Sequence, residues 1–156
     1  MTAFTDTSFL CSLYRQQVFS PRANAFMARR GEPLPVSSLL LLEFRQSLRL
    51  QVRLHSIDRT KGFPKHEANQ MLKDLQSDLK AKVLEVVPVD WSDVHQIAEN
   101  LSARYTEAHG HRFADILHVA TALHLSANEF LTFDKNQMLL AEAEGMKIPV
   151  LEHLPL

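Results

Sequence analysis

The sequence predicts an α/β fold, with a central, mostly parallel sheet flanked by helices in three layers (α/β/α). Short apolar segments of strand character alternate with longer segments of helical periodicity. Few hairpin signals join consecutive strand candidates, so their pairings are expected to be parallel. Acidic residues also fall where strands end and helices begin, the edge at which open parallel sheets place their function. The chain has 156 residues, the usual size of one domain, and residues 1–156 read as a single unit.

Ala3 to Thr5 is a short strand, and Asp6-Thr7-Ser8 supplies N-cap chemistry for a helix carrying Phe9, Leu10, Leu13 and Tyr14. A second helix covers Pro21 to Arg30, with proline in its first turn and Gly31 at its stop. Leu34 to Val36 is a brief strand among prolines, ending in Ser37-Ser38 caps ahead of a helix from about Leu39 to Val52. Ser56 to Pro64 reads as a loop with Gly62-Phe63-Pro64 as breakers, and Lys65 to Lys82 as a helix. Val83 to Val87 is a strand, and Ser92 caps a helix to about Glu107. His109-Gly110-His111 is a loop, and Phe113 to Ser126 a helix whose buried face is Ile116, Val119, Ala120 and Leu123. Glu129 to Phe133 is a strand ending at Asp134, Asn136 to Ala143 a helix stopped by Gly145, and Lys147 to Leu151 a last strand.

Composition narrows the function classes. Hydrophobic residues make up 46% and charged residues 22%, values of an ordinary globular protein rather than a disordered one. The formal net charge of -1 gives no bulk attraction to nucleic acid, so any such contact rests on local patches. The one cysteine, Cys11, forms no internal disulfide and reads as a small buried hydrophobe after Phe9-Leu10. No Cys/His cluster has zinc-ligand spacing. The longest apolar run, Leu39 to Leu42, is far too short to span a membrane. The opening Met-Thr-Ala-Phe-Thr-Asp has neither a basic nor an apolar signal region, so the expected location is the cytoplasm.

Asp6, Glu43, Asp115 and Asp134 are the most informative residues, because each has apolar neighbours on at least one side. A partly buried carboxylate is normally paired, hydrogen-bonded or bound to metal. Four brought together repel one another, and a hard divalent cation with oxygen ligands removes that conflict. Mg²⁺ held by a few carboxylates suits phosphodiester hydrolysis, in which the metal lowers the pKa of water and screens the phosphate. Each acid has a plainer reading. Asp6 and Asp115 are also good N-caps, Glu43 also suits a helix surface, and Asp134-Lys135-Asn136 is good turn chemistry.

Phe4-Thr5-Asp6-Thr7-Ser8-Phe9-Leu10 resembles the opening of PIN-domain proteins. Val36-Ser37-Ser38 through Leu42-Glu43-Phe44 is similar to their second motif, and Phe113-Ala114-Asp115-Ile116-Leu117-His118-Val119-Ala120-Thr121-Ala122 to their third. Phe130-Leu131-Thr132-Phe133-Asp134 resembles the fourth, and Gly145-Met146-Lys147-Ile148 the usual tail. The resemblance covers essentially the whole chain, and its third and fourth motifs are the most specific. It implies a parallel sheet flanked by helices and cleavage of RNA in single-stranded regions with Mg²⁺ or Mn²⁺. It implies Asp6, Asp115 and Asp134 as the closest metal ligands, with Glu43 completing the acidic site. Thr132, Thr7 and Ser8 become secondary candidates. Many bacterial members are VapC-type toxins that dimerise and are held inactive by a small antitoxin, so a homodimer and an antitoxin partner are implied here.

Arg45, Arg49 and Arg53 recur every four residues and line up on one helix face, followed by Arg59, Lys61 and Lys65. The ridge suits an RNA backbone and equally suits a solvated helix face. His118 follows Asp115 by three residues but reads as a packed core histidine, and His109 and His111 flank Gly110 in a loop. Gln51 to Lys82 matches no functional motif. The rivals are a PIN fold that binds RNA or protein without cutting, and a haloacid-dehalogenase-type phosphatase. The latter wants a second Asp two residues after Asp6, where Ser8 stands.

Overall fold

The computed structural model describes residues 2–151 and has the α/β architecture read from the sequence. Strands β1 (Ala3–Thr5) and β4 (Glu129–Leu131) pair in parallel, as do β2 (Leu34–Val36) and β3 (Leu84–Val86). β1 also packs beside β2, so the two ladders lie side by side. The expected last strand, Lys147 to Leu151, reduces to one parallel bridge between Lys147 and Glu129, and the chain then turns. Pro149 supplies no amide hydrogen with which to continue that ladder.

The helices are α1 (Thr7–Tyr14), α2 (Ser20–Arg29), α3 (Ser38–Ile57), α4 (Lys65–Lys80), α5 (Trp91–Leu101), α6 (Glu107–His109), α7 (Phe113–His124) and α8 (Lys135–Ala143). α3 outruns its expected end at Val52, because nothing from Arg53 to Ile57 breaks a helix. The Asp58 amide still donates to the Leu54 carbonyl at 2.8 Å. α5 is capped by Asp90 rather than Ser92. The Asp90 carboxylate accepts from the amides of Ser92 and Asp93, and so satisfies two of the free donors of the first turn. The helix expected to reach Glu107 runs through a π-helical turn at Ser102–Thr106 into α6. Lys82 and Ser126, both in left-handed conformations, stand just past the ends of α4 and α7.

Phe4, Phe9, Phe44 and Phe130 are fully buried and centre the core. Leu40, Leu41, Phe44 and Leu48 of α3 all belong to this core. α7 is buried on nearly every side: Asp115, Ile116, Leu117, His118, Val119, Ala120, Thr121 and Ala122 are all interior. Of its expected face, Leu123 is only partly buried. A helix enclosed in this way draws an aspartate and a histidine into the interior along with its apolar residues. Among the described residues, no helix is long and apolar enough to cross a membrane.

Candidate active site

Asp6 directly follows β1 and caps α1, so the strand-to-helix turn fixes its carboxylate at the end of the ladder. Its Oδ1 accepts from the Phe9 amide at 3.1 Å and from the Ser8 hydroxyl at 2.7 Å. Its Oδ2 accepts from the Thr132 hydroxyl and from Gln137 Nε2, both at 2.6 Å. The residue is wholly buried, and burial pushes its carboxyl up to about 6, while Thr132, Ser8 and Phe9 hold it from rising further.

A measurable pH dependence follows. Below the ordinary value of 3.8, Asp6 is protonated in both folded and unfolded chains and contributes nothing. As pH rises towards about 6 the unfolded chain gives up this proton first, and above 6 the folded chain carries a buried charge. Without metal, stability due to Asp6 therefore falls across that window, by on the order of 3 kcal/mol. Urea midpoints in EDTA at several pH values measure it, with Asp6→Asn expected to remove that part of the slope. Identical slopes in the two proteins would refute the assignment.

Glu43 reaches the same region from α3. Thr7 donates its hydroxyl hydrogen to Glu43 Oε1, and His118 Nε2 lies 3.2 Å from that oxygen. The histidine approach is an ion-pair distance without the alignment of a hydrogen bond, and neither buried ring nitrogen has a hydrogen-bond partner among the described residues. Burial alone raises the Glu43 carboxyl, but His118, Thr7 and Arg112 together hold it below the usual value. His118 is thus packed, as the sequence suggested, yet packed against an acid of the site.

Asp115, in the first turn of α7, is nearly buried, and Arg112 Nε donates to its Oδ2 at 3.0 Å. Burial raises its carboxyl above the usual value, Arg112 opposes this, and the like charges of Asp134 and Glu43 add to it. The strand before Asp134 ends at Leu131, and Asp134 itself caps α8, its Oδ1 accepting from the Gln137 amide at 3.0 Å. Its own amide donates to Thr132 Oγ1 at 3.0 Å, which ties it to the threonine that holds Asp6. Arg112 Nη2 stands 3.8 Å from Asp134 Oδ2, so one guanidinium spans two of the four acids.

All four acids, with Thr7, Ser8, Ser47, Arg112, Ala114 and Gln137, line one cleft of about 330 Å³. Among the described residues no three acidic, histidine or cysteine side chains are gathered tightly enough to enclose an ion. Arg112 brings a positive charge into the cleft, and four neutral donors hold Asp6. Arg45, Arg49 and Arg53 lie along α3, do not line the cleft, and make no ion pair among the described residues. Sequence reasoning missed Arg112, Ser47 and Gln137. Two of these carried a signal: Arg112 precedes Asp115 by three residues and Gln137 follows Asp134 by three, the spacings of first-turn neighbours. Cys11 is partly buried, and its thiol is pushed up to about 11, chiefly by burial, so it is no nucleophile at neutral pH.

Comparison with known families gives a match to the PIN domain over residues 3–143. The chain belongs to the PIN-domain family. Among solved structures, a sarcin–ricin-loop-cleaving toxin, VapC20 of Mycobacterium tuberculosis, is 20% identical. That alignment covers 99% of this chain and 100% of the other, with a TM-score of 0.64. FitAB bound to a DNA fragment is 22% identical over 100% of this chain and 99% of that one, with a TM-score of 0.66. A FitAcB structure from Neisseria gonorrhoeae is 18% identical over 95% and 96% of the two chains, with a TM-score of 0.59. No curated protein sequence matches this chain. These likenesses, all under 25% identity, establish the PIN fold.

Proposed function

We propose that this PIN domain is a divalent-metal-dependent endoribonuclease and the toxin of a toxin–antitoxin pair. The observation that carries the reading is the convergence of Asp6, Glu43, Asp115 and Asp134, from four separate elements, on one cleft. Two of these carboxyls, Asp6 and Asp115, are driven upward by burial, and Asp115 also by its acidic neighbours. A set of hard oxygen donors under mutual repulsion fits Mg²⁺ or Mn²⁺ in chemistry. Asp115, Asp134 and Asp6 would hold the ion, with Glu43 completing the set. When bound, such an ion lowers the pKa of water and screens the phosphate.

The chain's own residues prepare the rest. Thr132, Ser8 and Gln137 hold Asp6 in one orientation, while Thr7 and His118 position Glu43. Arg112, with 76% of its side chain exposed, is the counter-charge that a divalent ion replaces and a group free to meet an RNA phosphate. Arg45, Arg49 and Arg53 extend the basic surface for the RNA backbone. VapC20 is a toxin by its description, and that supports a small antitoxin as partner of this chain. A homodimer and a cytoplasmic location complete the reading.

The test is cleavage of a mixed single-stranded RNA by purified protein with Mn²⁺, with EDTA, and with Asp115→Asn. Metal-dependent cutting that falls more than about a hundredfold in the variant is expected, since losing a ligand should exceed the 10- to 100-fold typical of an outer partner. Substantial cutting by Asp115→Asn, or in EDTA, sinks the proposal.

A further inference from the structure

Among the described residues that line the acidic cleft, Arg112 is the one with a permanent positive charge. It stands immediately before α7 on extended backbone, with φ −78° and ψ 154°. From there its side chain reaches across the first turn of the helix to Asp115, three residues on. Asp115 most strongly, with Asp134 and Glu43 adding to it, favours the charged guanidinium.

The four acids are not held alike. Asp6 accepts from four neutral donors, Glu43 from the Thr7 hydroxyl, and Asp134 from the Gln137 amide. Asp115 has no hydrogen-bond donor among the described residues except Arg112. A neutral donor leaves the charge of a carboxylate in place for a cation. A guanidinium neutralises that charge, and it repels a second cation brought to the same oxygens. Arg112 and a divalent ion therefore compete for Asp115 and Asp134. The other end of the balance is equally plain. The Arg112 side chain is 76% exposed and makes no further hydrogen bond or ion pair among the described residues. Released from the acids, its planar fork of donors is unengaged, and that fork matches a phosphate.

We propose that Arg112 is a built-in competitor for the metal and, once displaced, the residue that binds the RNA phosphate, so that metal and RNA bind cooperatively. The inference rests on the metal-dependent ribonuclease reading and assigns the regulation of its site. The acids hold Arg112 away from substrate until an ion takes its place. Linkage makes the effect reciprocal, because RNA that draws Arg112 away must tighten metal binding by the same factor. A residue that only oriented Asp115 would act with the opposite sign, since its loss would weaken metal binding.

Mn²⁺ uptake by the purified protein, followed by the electron paramagnetic resonance of free Mn²⁺, gives a readout without cutting. Arg112→Gln is expected to bind Mn²⁺ about tenfold more tightly than the wild type. Arg112→Lys keeps the charge and is expected to stay near the wild-type affinity. With Mn²⁺ saturating, KM for a single-stranded RNA should rise about tenfold in Arg112→Gln. The Mn²⁺ concentration for half-maximal cutting should fall as RNA is raised in the wild type, and much less in Arg112→Gln. Urea unfolding checks that both variants fold. Equal or weaker Mn²⁺ uptake by Arg112→Gln, or an unchanged KM, overturns the inference and leaves the ribonuclease reading standing. Tighter uptake by Arg112→Gln when no RNA is cut by any of the proteins supports competition at the acids and refutes the ribonuclease reading. No uptake by either protein refutes both.

Discussion

Asp6→Ala is expected to abolish metal-dependent cleavage and also to lower folding stability by about 2–4 kcal/mol, whereas Asp6→Asn abolishes cleavage at a much smaller cost in stability. The difference follows from the four donors around the carboxylate. Alanine removes the acceptor for Phe9, Ser8, Thr132 and Gln137 together, at a position that is wholly buried. Losing the N-cap alone costs about 1 kcal/mol, and the stranded buried donors add the remainder. Asparagine keeps one acceptor oxygen and introduces an NH₂ group. Gln137 can meet that group by turning its amide over, because its Oε1 is buried with no hydrogen-bond partner among the described residues. Asparagine also removes the charge that burial penalises, which offsets part of what is lost. Paired urea titrations and RNA cleavage assays measure both effects. Equal destabilisation by the two variants would show that the four-donor cradle does not govern stability.

The parts of the molecule legible in the sequence are those in which local chemistry and tertiary demand agree. β1, β2 and α8 stand within a residue or so of their expected positions, because turn and cap residues sit where the chain turns. The four acids were legible because apolar neighbours around a carboxylate already signal a special environment. What stayed hidden depends on partners distant in sequence. Gln137 meets Asp6 across 131 residues, and Thr7 meets Glu43 across 36. The enclosure of α7 is equally non-local, since its amphipathic reading predicted one buried face and gave no hint that helices pack around it. The π-helical turn leaves no mark in composition. The polar stretch from Gln51 to Lys82, opaque as a functional motif, has instead a structural task, and it centres on one glycine.

Gly62→Ala is expected to destabilise the protein by more than about 3 kcal/mol, the largest effect of any glycine substitution here. Gly62 joins α3 to α4 with a φ of +59°, a conformation that costs an L-residue about 1–2 kcal/mol. A Cβ there would also overlap the backbone carbonyl oxygen of Gln51 and stand 3.1 Å from the His55 amide nitrogen. Both belong to the rigid backbone of α3, so neither can move aside without displacing the helix. The close approach is what lets Phe63 bury itself to 6% exposure, with the Arg15 guanidinium 4.6 Å above its ring. Arg15 in turn pairs with Glu67 of α4 at 3.0 Å, so the loop fastens the end of α1 to α3 and α4. α1 and α3 carry Asp6, Thr7 and Glu43 into the cleft, and loosening this tie is felt there as well as in stability. The other glycines give the scale. Gly110, with a φ of +70° but open space around it, should cost only the conformational term, and Gly31, with neither constraint, should accept alanine almost without effect. Urea midpoints of the three single variants should fall in the order Gly31→Ala, Gly110→Ala, Gly62→Ala. A Gly62→Ala variant no less stable than Gly110→Ala would mean that the loop yields and that the close approach to Gln51 holds nothing in place.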